Sequence, residues 1–220
     1  AAGWENGVLF GGEASVNGGE GNDVITVGNH NDIVIGGEGN DRITDGGSTS
    51  LWTSNGQSGS NLRRYDADYS DYGNQFSLGN GNDTLNVLSN SNDTVSAGEG
   101  NDVVDIDGSA VDGNATAAGW QRIDTIVDLG NGNDSLVIGE DGSWMGSRGS
   151  VSVEGGNGND TIVIARDGDQ TVNAGSGDDH VTLYQDENEF SSNHFDSTAR
   201  DGNHKITLGS GNDSLLITGR

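Results

Sequence analysis

The chain has 220 residues, a formal net charge of −26 from 35 acidic and 9 basic residues, 39 glycines, no proline and no cysteine. That length suits one elongated domain. The charge argues against nucleic acid or an anionic membrane surface as partner, the missing cysteines exclude a disulfide framework, and no apolar run approaches the length of a membrane span.

With 30% apolar residues, composition alone describes a disordered chain. A regular pattern overrides that reading from the first residues. No basic, apolar leader is read at Ala1-Ala2-Gly3-Trp4. Val8 and then Val16, in Gly11-Gly12-Glu13-Ala14-Ser15-Val16, fill apolar slots, with Ala14 where later copies carry Asp. Residues 18–26 then read Gly-Gly-Glu-Gly-Asn-Asp-Val-Ile-Thr. Residues 36–44 repeat the phrase as Gly-Gly-Glu-Gly-Asn-Asp-Arg-Ile-Thr, and 155–163 as Gly-Gly-Asn-Gly-Asn-Asp-Thr-Ile-Val. Weaker copies end in Asp83, Asp102, Asp134, Asp179 and Asp213. In each, glycines permit tight turns at positive φ, the Asp adds a carboxylate, and an apolar residue two positions later points inward from a short strand.

One nonapeptide is therefore half a coil, a turn plus a strand, and two make a full coil. Turns that alternate between two edges place Asp23, Asp41, Asp83, Asp102, Asp134, Asp160, Asp179 and Asp213 on one edge. Their turns carry Gly19, Gly21, Gly37, Gly39, Gly81, Gly100, Gly132, Gly156, Gly158, Gly177 and Gly211. The second edge takes Asp32, Asp93 and Asp124, with Gln170 and His204 in the Asp slot. Its turns are poor in glycine.

The nonapeptide resembles the hemolysin-type calcium-binding repeat of the RTX family. The resemblance implies a right-handed parallel β-roll or β-helix solenoid, all-β, with Ca2+ held between turns stacked one coil apart, for instance between Asp23 and Asp41. Calcium takes six to eight oxygen ligands, and mixed carboxylates and carbonyls suit it. Eight such turns leave room for about seven ions, with two or three more on the second edge. Metal binding would then supply folding free energy in a chain without disulfides.

The rhythm breaks near 53–74, 107–119, 139–150 and 186–200. Each break belongs to the second edge, and insertions in repeat proteins gather on one face, often the binding face. These segments and their flanks carry Trp52, Arg63, Arg64, Tyr65, Trp120, Arg122, Trp144, Arg148 and Phe195. Two readings stay open: a face for extracellular glycans, with aromatic stacking and Arg pairing, or aromatics that cover the coil edge while Arg neutralises nearby Asp.

His30, His180, His194 and His204 share no metal-ligand spacing, and no nucleophile elbow or zinc helix is present, so no catalytic residues are assigned and the chain is read as a non-enzyme. The expected function is a secreted calcium-binding structural module of an adhesin, surface layer or fibre. Val8-Leu9-Phe10 and Leu215-Leu216-Ile217 look uncapped, which raises self-association end to end. The alternatives are a glycan-binding module and the accessory domain of a secreted enzyme.

Overall fold

A computed structural model describes residues 7–8, 13–27, 31–45, 73–87, 92–106, 124–139, 150–165, 168–185 and 203–219. They form seventeen strands and, among the described residues, no helix. In chain order these are β1 (Gly7–Val8), β2 (Ser15–Glu20), β3 (Val24–Val27), β4 (Ile33–Glu38), β5 (Arg42–Asp45) and β6 (Gln75–Asn80). There follow β7 (Thr84–Val87), β8 (Thr94–Glu99), β9 (Val103–Ile106), β10 (Thr125–Asn131), β11 (Ser135–Ile138) and β12 (Val151–Glu154). The last are β13 (Thr161–Ile164), β14 (Gln170–Asn173), β15 (His180–Gln185), β16 (His204–Thr207) and β17 (Ser214–Gly219).

Odd strands make one sheet in the order β1 to β17, and even strands β2 to β16 make the other. Successive strands in each sheet pair in parallel, so the chain advances one coil for every two strands. The architecture is an all-β parallel β-roll. Parallel sheets usually bury both faces under helices and read as continuous apolar runs. Here the described even-to-odd connections are tight turns, no helix covers the sheets among the described residues, and the strands alternate inward and outward with period two.

Register turns that alternation into columns. Ile25, Ile43, Leu85, Val104, Leu136, Ile162, Val181 and Leu215 stand in line on the odd sheet. Val34, Phe76, Val95, Val127, Val153 and Val172 face them from the even sheet, and all but the terminal Leu215 are buried. Full burial of such a side chain contributes roughly 1.5–3 kcal/mol. One column contains an intruder. Asp45, fully buried, is one coil away from Val87 and Val27, and Asn74 Nδ2 donates to its Oδ2 at 3.2 Å.

The Gly-rich turns carry the chain from even to odd strands along one edge, and the second edge returns it. The insertions near 53–74, 107–119, 139–150 and 186–200 lie almost wholly outside the described residues. Their margins, Asp45 and Gly73, Ile106 and Asp124, Gly139 and Ser150, Gln185 and Asn203, are points where the chain leaves the odd sheet and joins the even one.

One placement from the sequence is corrected. Asp124 was expected in the slot of Asp32 and Asp93, which would turn Ile126 inward. Instead β10 pairs Ile126 with Thr94, so buried Thr125 takes the slot and Ile126 is 53% exposed. Val127 and Leu129 fill the core there, because turning them inward buries more apolar area than Ile126 alone. Asp124 lies one residue further out, where its N–H donates to Asn92 Oδ1 and its own Oδ1 accepts from the Ser150 N–H. Gln170 and His204 do align with the Thr125 and Val151 positions.

Candidate metal centre

The Gly-rich edge is built from backbone that only glycine tolerates. Gly37 and Gly39 have φ of 120° and 129°. A Cβ on Gly37 would lie 2.1 Å from the Gly19 carbonyl oxygen, and one on Gly39 would lie 2.0 Å from that of Gly21. The turns therefore stack carbonyl on Cα, coil upon coil, at a spacing no side chain could share. Gly19, Gly21, Gly81, Gly100, Gly132, Gly156, Gly158, Gly177 and Gly211 adopt the same left-handed backbone.

The aspartates join these turns into a ladder. The Asp23 N–H donates to Asp41 Oδ1 at 2.8 Å, Asp41 to Asp83 at 2.6 Å, and Asp83 to Asp102 at 2.8 Å. Asp102 donates to Asp134, Asp134 to Asp160, Asp160 to Asp179 and Asp179 to Asp213, at 2.8 to 3.0 Å. The structure thus brings together all eight aspartates assigned to this edge. One oxygen of each carboxylate from Asp41 to Asp213 caps the backbone of the coil before it.

The other oxygen has no such partner. Oδ2 of Asp23, Asp41, Asp83, Asp102, Asp134, Asp160 and Asp179 is buried without a hydrogen bond. Leaving a charged oxygen buried and unpaired costs free energy that a cation or proton relieves. Burial pushes the carboxyls of Asp83, Asp102, Asp134 and Asp160 up to about 6, partly offset by the backbone N–H each accepts. Neighbouring carboxylates in the ladder add to the rise. Asp41 and Asp179 are raised by the same cause.

These donors fit a hard divalent cation. All are oxygens, and no group of three His, Cys, Asp or Glu side chains that could hold a metal is found among the described residues. A metal on this edge would draw on the Asp carboxylates and the turn carbonyls, an all-oxygen set that suits calcium and not zinc. When bound, the cation neutralises the ladder; the chain's own part is to hold the carboxylates and turns in register.

Two features went unread in the sequence. Preceding every ladder aspartate is an Asn or Asp whose side chain makes a second ladder of opposite sense. Asn40 N–H donates to Asn22 Oδ1, Asn82 to Asn40, Asn101 to Asn82 and Asn133 to Asn101, at 2.7 to 2.8 Å. Asn159, Asp178 and Asn212 continue it. The signal in the sequence is the recurrence of Asn directly before the ladder Asp, at 22, 40, 82, 101, 133, 159 and 212. On the second edge, buried Asn74 stands in the Asp slot: Asp32 N–H donates to its Oδ1 at 2.9 Å, and its own N–H donates to Asp93 Oδ1 at 3.0 Å. Trp52, Arg63, Arg64, Tyr65, Trp120, Arg122, Trp144, Arg148 and Phe195, the candidate ligand face, lie outside the described residues.

A family model for the RTX calcium-binding nonapeptide repeat matches four segments, residues 10–43, 79–108, 145–163 and 164–190, which together make up half of the chain. No curated protein and no solved structure gave a match. The matched segments contain six of the eight ladder aspartates, and the two outside them, Asp134 and Asp213, hydrogen-bond in the same way as the rest. The chain belongs to the RTX calcium-binding nonapeptide repeat family and is a calcium-binding repeat module.

Proposed function

We propose that this module is a secreted structural element of an adhesin, surface layer or extracellular fibre, and that it folds as Ca2+ enters the gaps between successive aspartate turns. The observation that carries the reading is the run of buried, unpartnered Oδ2 atoms along one edge. Seven ladder steps join eight aspartates, and one cation per step gives about seven ions. A chain of net charge −26 with no cysteine needs such a counter-charge to stay compact. The extracellular space supplies calcium at the concentrations that weak modular sites require. The reading requires no catalytic step.

Self-association end to end belongs to the same proposal. Leu215 and Ile217 continue the core columns of Val181 and Leu183, yet are 41% and 48% exposed, while Val181 and Leu183 are buried. A further coil in the same register would bury them, whether it follows in a longer chain or comes from a second copy, and the proposal takes the second copy. Sedimentation velocity in EDTA and then in millimolar calcium tests both parts. The expected sequence is an expanded monomer, then compact species that include assemblies, with Ile217→Lys restoring the compact monomer. A chain that sediments identically in both buffers contradicts the folding reading. Compact monomers alone contradict the stacking.

A further inference from the structure

Asn is followed directly by Gly six times, at Asn6, Asn17, Asn55, Asn80, Asn131 and Asn157. Three of these pairs, Asn80-Gly81, Asn131-Gly132 and Asn157-Gly158, occupy the same place in the Gly-rich turns. In an unfolded chain this dipeptide loses its side-chain amide readily, because glycine puts no side chain in the way of its own backbone nitrogen. That nitrogen gives its proton to solvent and attacks the Asn Cγ. The N–Cγ bond closes a succinimide ring, the Cγ–Nδ2 bond breaks, and the amide nitrogen leaves as ammonia. Water then opens one carbonyl or the other. The product is Asp or an isoaspartyl linkage with an extra methylene in the backbone.

In the β-roll both the attacking and the leaving nitrogen are engaged elsewhere. The Gly81 N–H donates to the Glu99 carbonyl at 2.8 Å, Gly132 to Asn157 at 2.8 Å, and Gly158 to Ser176 at 2.7 Å. The amides that would leave are held too. Asn80 Nδ2 donates to Glu38 Oε1 at 2.8 Å, and Asn131 Nδ2 to Glu99 Oε1 at 2.7 Å. Asn157 Nδ2 donates to Asn131 Oδ1. Each Asn also pairs in parallel with the coil on either side. Reaction therefore requires the turn to open.

The same packing makes the products hard to refold. A Cβ added at Gly81, Gly132 or Gly158 would lie 1.7, 1.6 or 1.6 Å from the glycine carbonyl of the preceding coil, so the chain next to each Asn has no slack to shift for the backbone methylene that an isoaspartyl linkage adds at the Asn. Plain Asp at position 80 would set a carboxylate between Glu38 and Glu99, its two register partners. From this juxtaposition we infer that Asn80, Asn131 and Asn157 are calcium-gated deamidation sites. They are inert in the folded β-roll and convert once calcium is withdrawn, so time spent unfolded ends the chain's capacity to refold. The inference rests on calcium holding the fold.

The test incubates the whole chain at neutral pH in calcium, in EDTA, and in guanidinium chloride, which supplies the unprotected rate. Circular dichroism records folding, and peptide mapping by mass spectrometry records amide loss at each site. The expected result is conversion in EDTA at the guanidinium rate and at least about tenfold slower conversion in calcium, because the turn must open first. Refolding yield on returning calcium should fall as conversion proceeds. In a background carrying Asn6→Ser, Asn17→Ser and Asn55→Ser, adding Asn80→Ser, Asn131→Ser and Asn157→Ser, the residue that Ser176 and Ser210 already place in this column, should preserve the refolding yield that the background alone loses after the same exposure. Equal conversion in calcium and EDTA, with the fold lost only in EDTA, overturns the inference and leaves the folding switch standing. A fold retained in EDTA overturns it by removing the gate, and circular dichroism tells the two failures apart.

Discussion

Asp102 and Asp134 are 32 residues apart in sequence and one coil apart in space: the Asp102 backbone N–H donates to Oδ1 of Asp134 at 2.8 Å, while Oδ2 of both residues is buried without a partner. Each ladder carboxylate from Asp41 to Asp179 thus has two jobs. One oxygen holds the preceding coil, and the other is the one the proposed cation would take.

The two jobs can be separated at Asp134. Asp134→Asn keeps an oxygen for the Asp102 N–H but removes the charge, whereas Asp134→Ala removes both. In calcium, both variants should lose stability in urea, and Ala should lose about 1–3 kcal/mol more because it leaves a buried N–H unpaired. In EDTA, Asn should stabilise any residual fold relative to wild type, since it deletes a buried like charge from the ladder. Equal losses for the two variants would contradict the two-oxygen assignment.

Gly39→Ala tests the turn geometry. At φ 129°, with an added Cβ 2.0 Å from the Gly21 oxygen, alanine must break the stack. A loss of about 3 kcal/mol or more is expected from strain and overlap combined. Calcium-dependent circular dichroism should show fewer residues ordered. A loss below about 1 kcal/mol would mean the stacking is looser than described.

Acidity should partly replace calcium. Burial raises the carboxyls of Asp83, Asp102, Asp134 and Asp160 above the ordinary aspartate range, to about 6. A folded-state value above the unfolded one means the folded state binds more protons across that interval. Metal-free stability therefore rises as pH falls through about 6 towards about 4, and that gain is lost as pH rises through 6. Far-UV circular dichroism in EDTA should show more β-structure at pH near 5 than near 7.5, with calcium binding weakened at the lower pH by proton competition. Loss of metal-free β-structure over the same acidification would count against buried, cation-free carboxylates.

Asp45 offers a fourth test, away from the calcium edge. Its carboxylate is fully buried in a column of valine and isoleucine, with Asn74 Nδ2 at 3.2 Å. Asp45→Asn keeps an acceptor for Asn74, whereas Asp45→Ala removes it and leaves a buried Nδ2 donor without that partner. Ala should therefore be less stable than Asn in urea by about 1–3 kcal/mol in calcium. Equal stabilities of the two variants would contradict a structural role for the Asn74–Asp45 hydrogen bond.

The ladder edge was legible in the sequence because Gly-x-Gly before Asp permits a single turn, and eight such turns fall in phase. The register of β10 was not. Between Asp93 and Asp124 the chain makes an insertion whose length carries no phase, and a one-residue slip decides whether Asp124 or Thr125 enters the slot. Only the burial of Val127 and Leu129 against Ile126 settles it. The Asn ladder was hidden because Asn suits any tight turn on local grounds, so its recurrence read as turn chemistry. Asn74 and Asp45 meet across 29 residues of sequence, a pairing no local pattern encodes.

The most direct test of the account is a calcium titration of the purified chain from EDTA, followed by far-UV circular dichroism, with bound ions counted by equilibrium dialysis. The account predicts an unfolded chain without metal, a cooperative rise in β-structure, and about seven ions bound at saturation, one per step of the ladder. Full β-structure in EDTA at neutral pH, unchanged by calcium, would contradict the claim that the aspartate ladder needs its cation to fold.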